Sequence, residues 1–178
     1  MDNKSRNIMN MISRYLCVLI LGFGDLFLFY LILTPITIFV FYHLISIFVA
    51  TSLTRAGILI GNYVVEIIKP CVSAAGYYLL FILGMTTRVK SNIRFKAIIT
   101  AFGIFFGFNI LRLVILTFFI GSSSFELMHW IFWHFISTIF VVITWFIVVK
   151  IYKIKEIPVY SDMKYLQKLK SNKSKRKK

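Results

Sequence analysis

The chain has 178 residues, of which 59% are hydrophobic, 17% aromatic and only 15% charged. A soluble domain carries roughly 45–50% apolar and about 25% charged residues, so this balance excludes an ordinary water-soluble globule. Its 21 Lys and Arg against 6 Asp and Glu leave a formal charge of +15, yet no groove-reading motif accompanies that charge, which excludes nucleic acid as the expected partner.

Apolar residues come in runs long enough to cross a bilayer core, which takes about 20 helical residues. The expected fold class is therefore all-α, a polytopic transmembrane helical bundle with about four to six membrane segments. Residues 1–14 read as a cytoplasmic N-terminal segment, residues 15–151 as the transmembrane domain and residues 152–178 as a basic cytoplasmic tail. The length leaves no room for a second domain.

In chain order, the apolar region 15–53 is interrupted by Asp25 and by Pro35. Two short spans meeting at Thr34 and Pro35 satisfy it. So does one span from about residue 25 to about residue 47, preceded by an interfacial segment. It does not read as a cleavable leader, because no small-residue cleavage site ends it. The next apolar stretch, 58–68, is broken by Asn62 and Glu66 and shows no strand alternation. Lys69 and Pro70 close it. Proline is well tolerated at the first helical position, so a helix is expected from there to about Met85. A basic loop at 88–96 follows, then two strong spans joined by the polar residues 122–126, then the tail.

Basic residues cluster before residue 15, at 88–96 and after residue 149, and flanking Lys and Arg stay cytoplasmic. The expected localisation is the plasma membrane, multi-pass, with both termini cytoplasmic. Cys71 then lies near the outer boundary. Arg112 lies about 15 residues up the following span, roughly 22 Å at the helical rise. His129 and His134 begin the last span, so three chemically capable groups converge at one level.

Cys71 follows Pro70 at the expected start of a helix, where unpaired N–H groups favour a thiolate. Buried cysteines are also ordinary packing residues, the role assigned to Cys17. A guanidinium at a span centre costs about 2.5–3.5 kcal/mol on insertion scales, so Arg112 needs a cavity or a partner unless it snorkels. Asn109, three residues earlier, shares its helix face. Gly103 and Gly107 have a small-residue spacing suited to close helix contact. His129 and His134 stand about 140° apart on a helix, which disfavours a zinc pair and lets only one face Arg112. The other joins His43 as a packing or interfacial histidine, and Trp130 and Trp133 suit an aromatic belt. Asp25, the isolated acid, is available to pair with Arg112. No metal cluster or cofactor motif is present in the sequence.

The run Lys69-Pro70-Cys71-Val72-Ser73-Ala74-Ala75-Gly76-Tyr77-Tyr78, then Asn109-Ile110-Leu111-Arg112, then His129 in a hydrophobic span, resembles the exosortase/archaeosortase family. The resemblance covers roughly residues 57–149, and Ser73 stands where that family often carries Gly. It implies a membrane-embedded cysteine protease or transpeptidase without metal or organic cofactor. Cys71, Arg112 and one of His129 and His134 would be catalytic, and Asn109 would contact substrate. The implied partners are secreted protein substrates whose C-terminal signal joins a short motif, a membrane helix and a basic cluster. Cleavage near the outer membrane face and transfer to membrane lipids or a glycolipid acceptor are implied. Two rival readings are a non-enzymatic membrane scaffold in polysaccharide or secretion assembly, and a small channel or transporter with Arg112 as an anion site.

Overall fold

A computed structural model describes residues 3–54, 57–164 and 167. It is mostly helical, 72%. The elements run α1 (Asn3–Gly22), α2 (Phe27–Ser46), β1 (Thr51–Thr54), β2 (Gly57–Ile60), β3 (Tyr63–Val65), α3 (Lys69–Val72), α4 (Ala74–Thr86), α5 (Ser91–Thr117), α6 (Phe125–Ile131) and α7 (Ser137–Ile151), with a π-helical turn (Phe132–Ile136) joining the last two. Three helices are long and apolar enough to cross a membrane: Phe27–Ser46, Ser91–Thr117 and the continuous Phe125–Ile151. Two shorter apolar helices, Ile8–Gly22 and Ala74–Thr86, accompany them.

The break in the N-terminal region falls at Gly24, Asp25 and Leu26, not at Thr34 and Pro35. All three have left-handed backbone, with φ of 88°, 53° and 58°. Pro35 lies inside α2 without ending it. Apolar helices tolerate an internal proline where neighbours cover the freed backbone. α1 runs through residue 14 without a break. Asp25 does not reach Arg112. It pairs with Lys69 at 3.0 Å, both side chains largely in the open, and that hydrogen bond holds the Lys69 ammonium above the usual lysine range.

The apolar stretch 58–68, read without strand alternation, departs from the all-α expectation. It belongs to a three-stranded antiparallel meander in the order β1-β2-β3, with Ile60 opposite Tyr63 across the second turn. The β-branched content favours strands, and Asn62 and Glu66, which interrupt any apolar helix face, fall at a turn and a strand end. Gly57, at φ 145°, lies so close to Val65 that a side chain there would strike its carbonyl.

Two apolar clusters hold the helices together. Tyr77 and Leu80 of α4 meet Ala97, Ala101 and Phe105 of α5 and Val141 and Val148 of α7. Nearer the sheet, Phe41 and Ile45 of α2 meet Ile58, Cys71, Ile110 and Leu113. The close helix approaches come at Gly76 against Phe105 and Val141, and at Gly84 against Ile98. Gly103 and Gly107, expected to serve this purpose, face open space among the described residues. Many large apolar side chains stay exposed on the outside, among them Phe39, Ile99 and Phe146.

At the end of the bundle opposite the sheet, Arg14 donates to the carbonyls of Met85 and Thr87 and to Asp162 Oδ2 at 2.7 Å. Asp162 is buried, and Val159 N–H bonds the Thr86 carbonyl at 3.2 Å. The first part of the expected tail is thus folded against α1 and the α4–α5 loop. The remainder, from 168 to 178, lies outside the described residues.

Breaking a buried ion pair from one side strands the other charge and costs about 3–5 kcal/mol. Asp162→Ala is expected to lower the unfolding midpoint in detergent by several degrees, and Arg14→Met combined with Asp162→Leu to regain most of it. Scanning fluorimetry reads both; an unchanged midpoint in Asp162→Ala would show that the clasp contributes nothing.

Candidate active site

Residues 69–76 do not form the single helix expected from Pro70. Pro70 starts a helix that lasts one turn. Ser73 then adopts left-handed backbone, φ 57° and ψ 39°, and α4 begins after it. This conformation is costly for a residue with a Cβ, so surrounding contacts must hold it. In a continuous helix the carbonyls of Pro70, Cys71 and Val72 would accept from amides four residues on. The break removes those partners.

Side chains replace them. Arg112 Nη2 donates to the Pro70 carbonyl at 2.9 Å and to the Cys71 carbonyl at 3.0 Å. Asn109 Nδ2 donates to the Cys71 carbonyl at 2.9 Å and, at 3.5 Å, to that of Val72. Ser73 Oγ reaches back to the Pro70 carbonyl at 3.3 Å. The shared helix face of Asn109 and Arg112, read from their spacing, thus converges on the turn that carries Cys71. Both residues are almost fully buried, 2% and 3% exposed, so Arg112 does not snorkel.

The other terminal nitrogen, Nη1, donates to Ser137 Oγ at 2.6 Å. Ser137 in turn donates to the Phe132 carbonyl, five residues back across the π-turn, at 2.9 Å. The Phe132 carbonyl also accepts the Ser137 backbone N–H, the five-residue bond of the π-turn. Ser137 was not legible from the sequence, since one serine in an apolar helix gives no signal of the register change. The Nε of Arg112 has no partner among the described residues, and neither does the buried hydroxyl of Tyr77.

The two histidines separate. His129 lies on α6 with its ring stacked on Phe125, and it lines a cleft of about 780 Å³ together with Cys71. His134 sits in the π-turn, exposed, against the rings of Trp130 and Trp133, with Nδ1 at 3.1 Å from the Trp130 carbonyl. His43 likewise bonds its own helix, at the Phe39 carbonyl. Cys17 lines a different cleft of about 580 Å³, beside Arg14, Arg94 and Asp162.

The Cys71 cleft is bounded by residues 63–68, the end of α5 and the start of α6. Arg112 lies behind Cys71, not on the cleft wall. It therefore brings positive charge to the cysteine turn through the backbone it binds. A one-turn helix carries little of the dipole expected of a long one, so the guanidinium is the main source of positive potential there. The arrangement can hold a nucleophile rigidly, with an imidazole in the same cavity. Compared with known protein families, curated proteins and solved structures, the chain finds no match.

Lysine offers one mobile point charge in place of a planar fork. It cannot bond Pro70, Cys71 and Ser137 together. Arg112→Lys is expected to leave the bundle folded while amide exchange in residues 71–76 quickens about tenfold, since a bond from a charged donor contributes about 1.5–3 kcal/mol. Hydrogen-exchange mass spectrometry measures this. Unchanged protection would mean that the turn holds itself.

Proposed function

We propose that this chain is a multi-pass plasma-membrane cysteine transpeptidase or protease, resembling the exosortase/archaeosortase type. In this reading Cys71 is the nucleophile, Arg112 and Asn109 hold and polarise its turn, and His129 handles the proton. The single observation that carries the reading is a buried arginine bonded to the carbonyl of the cysteine that shares a cleft with His129. Cys71 Sγ attacks a substrate carbonyl, the C–N bond breaks, and the leaving amine takes its proton from His129. The thioester then passes to a hydroxyl or amine of a lipid or glycolipid acceptor, which returns a proton to His129 and frees the sulfur.

The proposed topology has four crossings, at the low end of the range expected. Phe29 packs on Phe102 low in the bundle, and Phe41 and Ile45 meet Ile110 and Leu113 high in it. That progression supports α2 ascending alongside α5. With α3–α4 and α6–α7 descending, Arg14, the 88–96 loop and Asp162 share the basic, cytoplasmic end. The sheet and the Cys71 cleft then face outward, where secreted substrates carrying a C-terminal membrane helix present their cleavage point.

One observation favours the non-enzymatic scaffold instead. The terminal nitrogens of Arg112 already have protein partners, as a purely structural capping arginine would. Activity separates the two readings.

Cys71→Ala is expected to insert and accumulate normally, while extracellular proteins of the host retain C-terminal membrane helices that the wild type removes. Cys17→Ala should behave as wild type. C-terminal peptidomics of the two strains checks this, and identical peptidomes would favour the scaffold. With native thiols replaced, Ser123→Cys should label from outside intact cells and Lys90→Cys only from inside. Labelling of Lys90→Cys from outside would invert the topology.

A further inference from the structure

One wall of the cleft is the continuous segment Tyr63, Val64, Val65, Glu66, Ile67 and Ile68. It starts as β3, which is an outer strand with a partner on one side alone. Ile60 faces Tyr63 and Ile58 faces Val65 across the two-residue hairpin. The residues flanking such a turn exchange the closing hydrogen bonds, and alternation along the ladder turns the N–H and C=O of Val64 to the free edge. Outside the sheet, no backbone bond joins Val64, Glu66 or Ile67 to another described residue. From this open edge the chain runs directly to Ile68, whose carbonyl accepts the Cys71 N–H at 2.9 Å.

The cleft also has a charge of its own. Two of the chain's six acids, Glu66 and Glu126, line it, although the protein as a whole carries +15. Neither takes part in the ion pairs Arg14–Asp162 and Lys69–Asp25. The remaining walls are largely apolar side chains such as Phe41, Leu113 and Leu116.

We propose that this cleft takes its substrate as an extended peptide, added as a strand to the free edge of β3, with a basic side chain of the peptide set against Glu66 and Glu126. The proposal rests on Cys71 being the nucleophile and adds the class and pose of what it attacks. Strand addition lets backbone hydrogen bonds supply affinity while pockets for alternate side chains supply selection. A three-residue strand admits a short stretch of peptide, and its register fixes which carbonyl meets the sulfur. The cavity size, about 780 Å³, suits such a segment. An anionic lipid headgroup fits poorly, since it has no peptide ladder to offer and would meet two carboxylates.

The test uses the purified full-length protein in nanodiscs and three peptide chloromethyl ketones. The first is acetyl-Ala-Lys-Ala, the second has Glu in place of Lys, and the third is the Lys peptide with its backbone amides N-methylated. The rate of Cys71 alkylation is read by mass spectrometry and divided by the rate with iodoacetamide, which needs no strand pairing. The Lys peptide is expected to react about tenfold faster than the Glu peptide and than its N-methylated form, the scale of one or two hydrogen bonds. The preference must be local, because the overall positive charge repels a lysine peptide. Glu66→Gln with Glu126→Gln should abolish the Lys preference in the rates normalised to iodoacetamide. Equal normalised rates for all three peptides would overturn the pose, with Cys71 still reactive and the enzyme reading intact. Protection of Cys71 by phosphatidylglycerol nanodiscs over phosphatidylcholine ones, with no peptide preference, would assign the cleft to lipid and also overturn it. Inertness of Cys71 even to iodoacetamide would instead sink the nucleophile reading, and the proposal with it.

Discussion

A helix that stops after one turn leaves backbone carbonyls that must find donors. In an apolar surrounding, each unsatisfied group costs several kcal/mol. The guanidinium of Arg112 and the amide of Asn109 answer that need at Pro70, Cys71 and Val72. The relation is mutual, because a buried guanidinium also requires acceptors, and an interrupted turn supplies them. Without the break at Ser73 the carbonyls would be taken by α4 and Arg112 would be stranded. Without Arg112 the turn would keep Asn109 and the Ser73 hydroxyl but lose its one charged donor. The position of Cys71 follows from this exchange, and Ser137 extends it to the last helix through the π-turn.

The rest of the fold serves to bring these pieces to one level. The cluster of Tyr77, Ala101, Phe105 and Val141 fixes α4, α5 and α7 side by side. Small residues at Gly76 and Ala101 permit that approach. At the far end, the Arg14–Asp162 clasp ties α1, the α4–α5 loop and the start of the tail together, about 20 Å down α4 at the helical rise. The apolar exterior is what a bilayer would cover, and the three long helices fit membrane association. The meander stands apart from this scheme. Its backbone pairs with itself on one side and is open on the other, beside the cysteine.

Much of this was legible from residue types alone. The basic clusters, the apolar runs and the i, i+3 spacing of Asn109 and Arg112 each carry a local physical signal, and the mostly helical bundle follows from them. What was hidden depends on partners distant in sequence. Ser73 as a helix break cannot be read from its own propensity, because its stability comes from α5. The π-turn that separates His129 from His134 leaves no mark in composition. β2 and β3 are apolar runs too short to be told from fragments of a helix, and β1 holds a single apolar residue, Leu53. Gly103 and Gly107 illustrate the opposite error, a spacing with the form of a packing motif but open space beside it. Asp25 was read as available to Arg112, whereas its left-handed backbone puts it in a turn, within reach of Lys69.

If the Arg112-bound turn presents a nucleophile, turnover passes through a covalent intermediate on Cys71. Full-length protein drawn from its host and quenched in acid can be digested and searched for acyl-modified cysteine before and after hydroxylamine, which cleaves thioesters. A peptide-derived adduct on Cys71 that hydroxylamine removes, with Cys17 unmodified, is the expected result. Recovery of Cys71 wholly as a free thiol, with or without hydroxylamine, would contradict it.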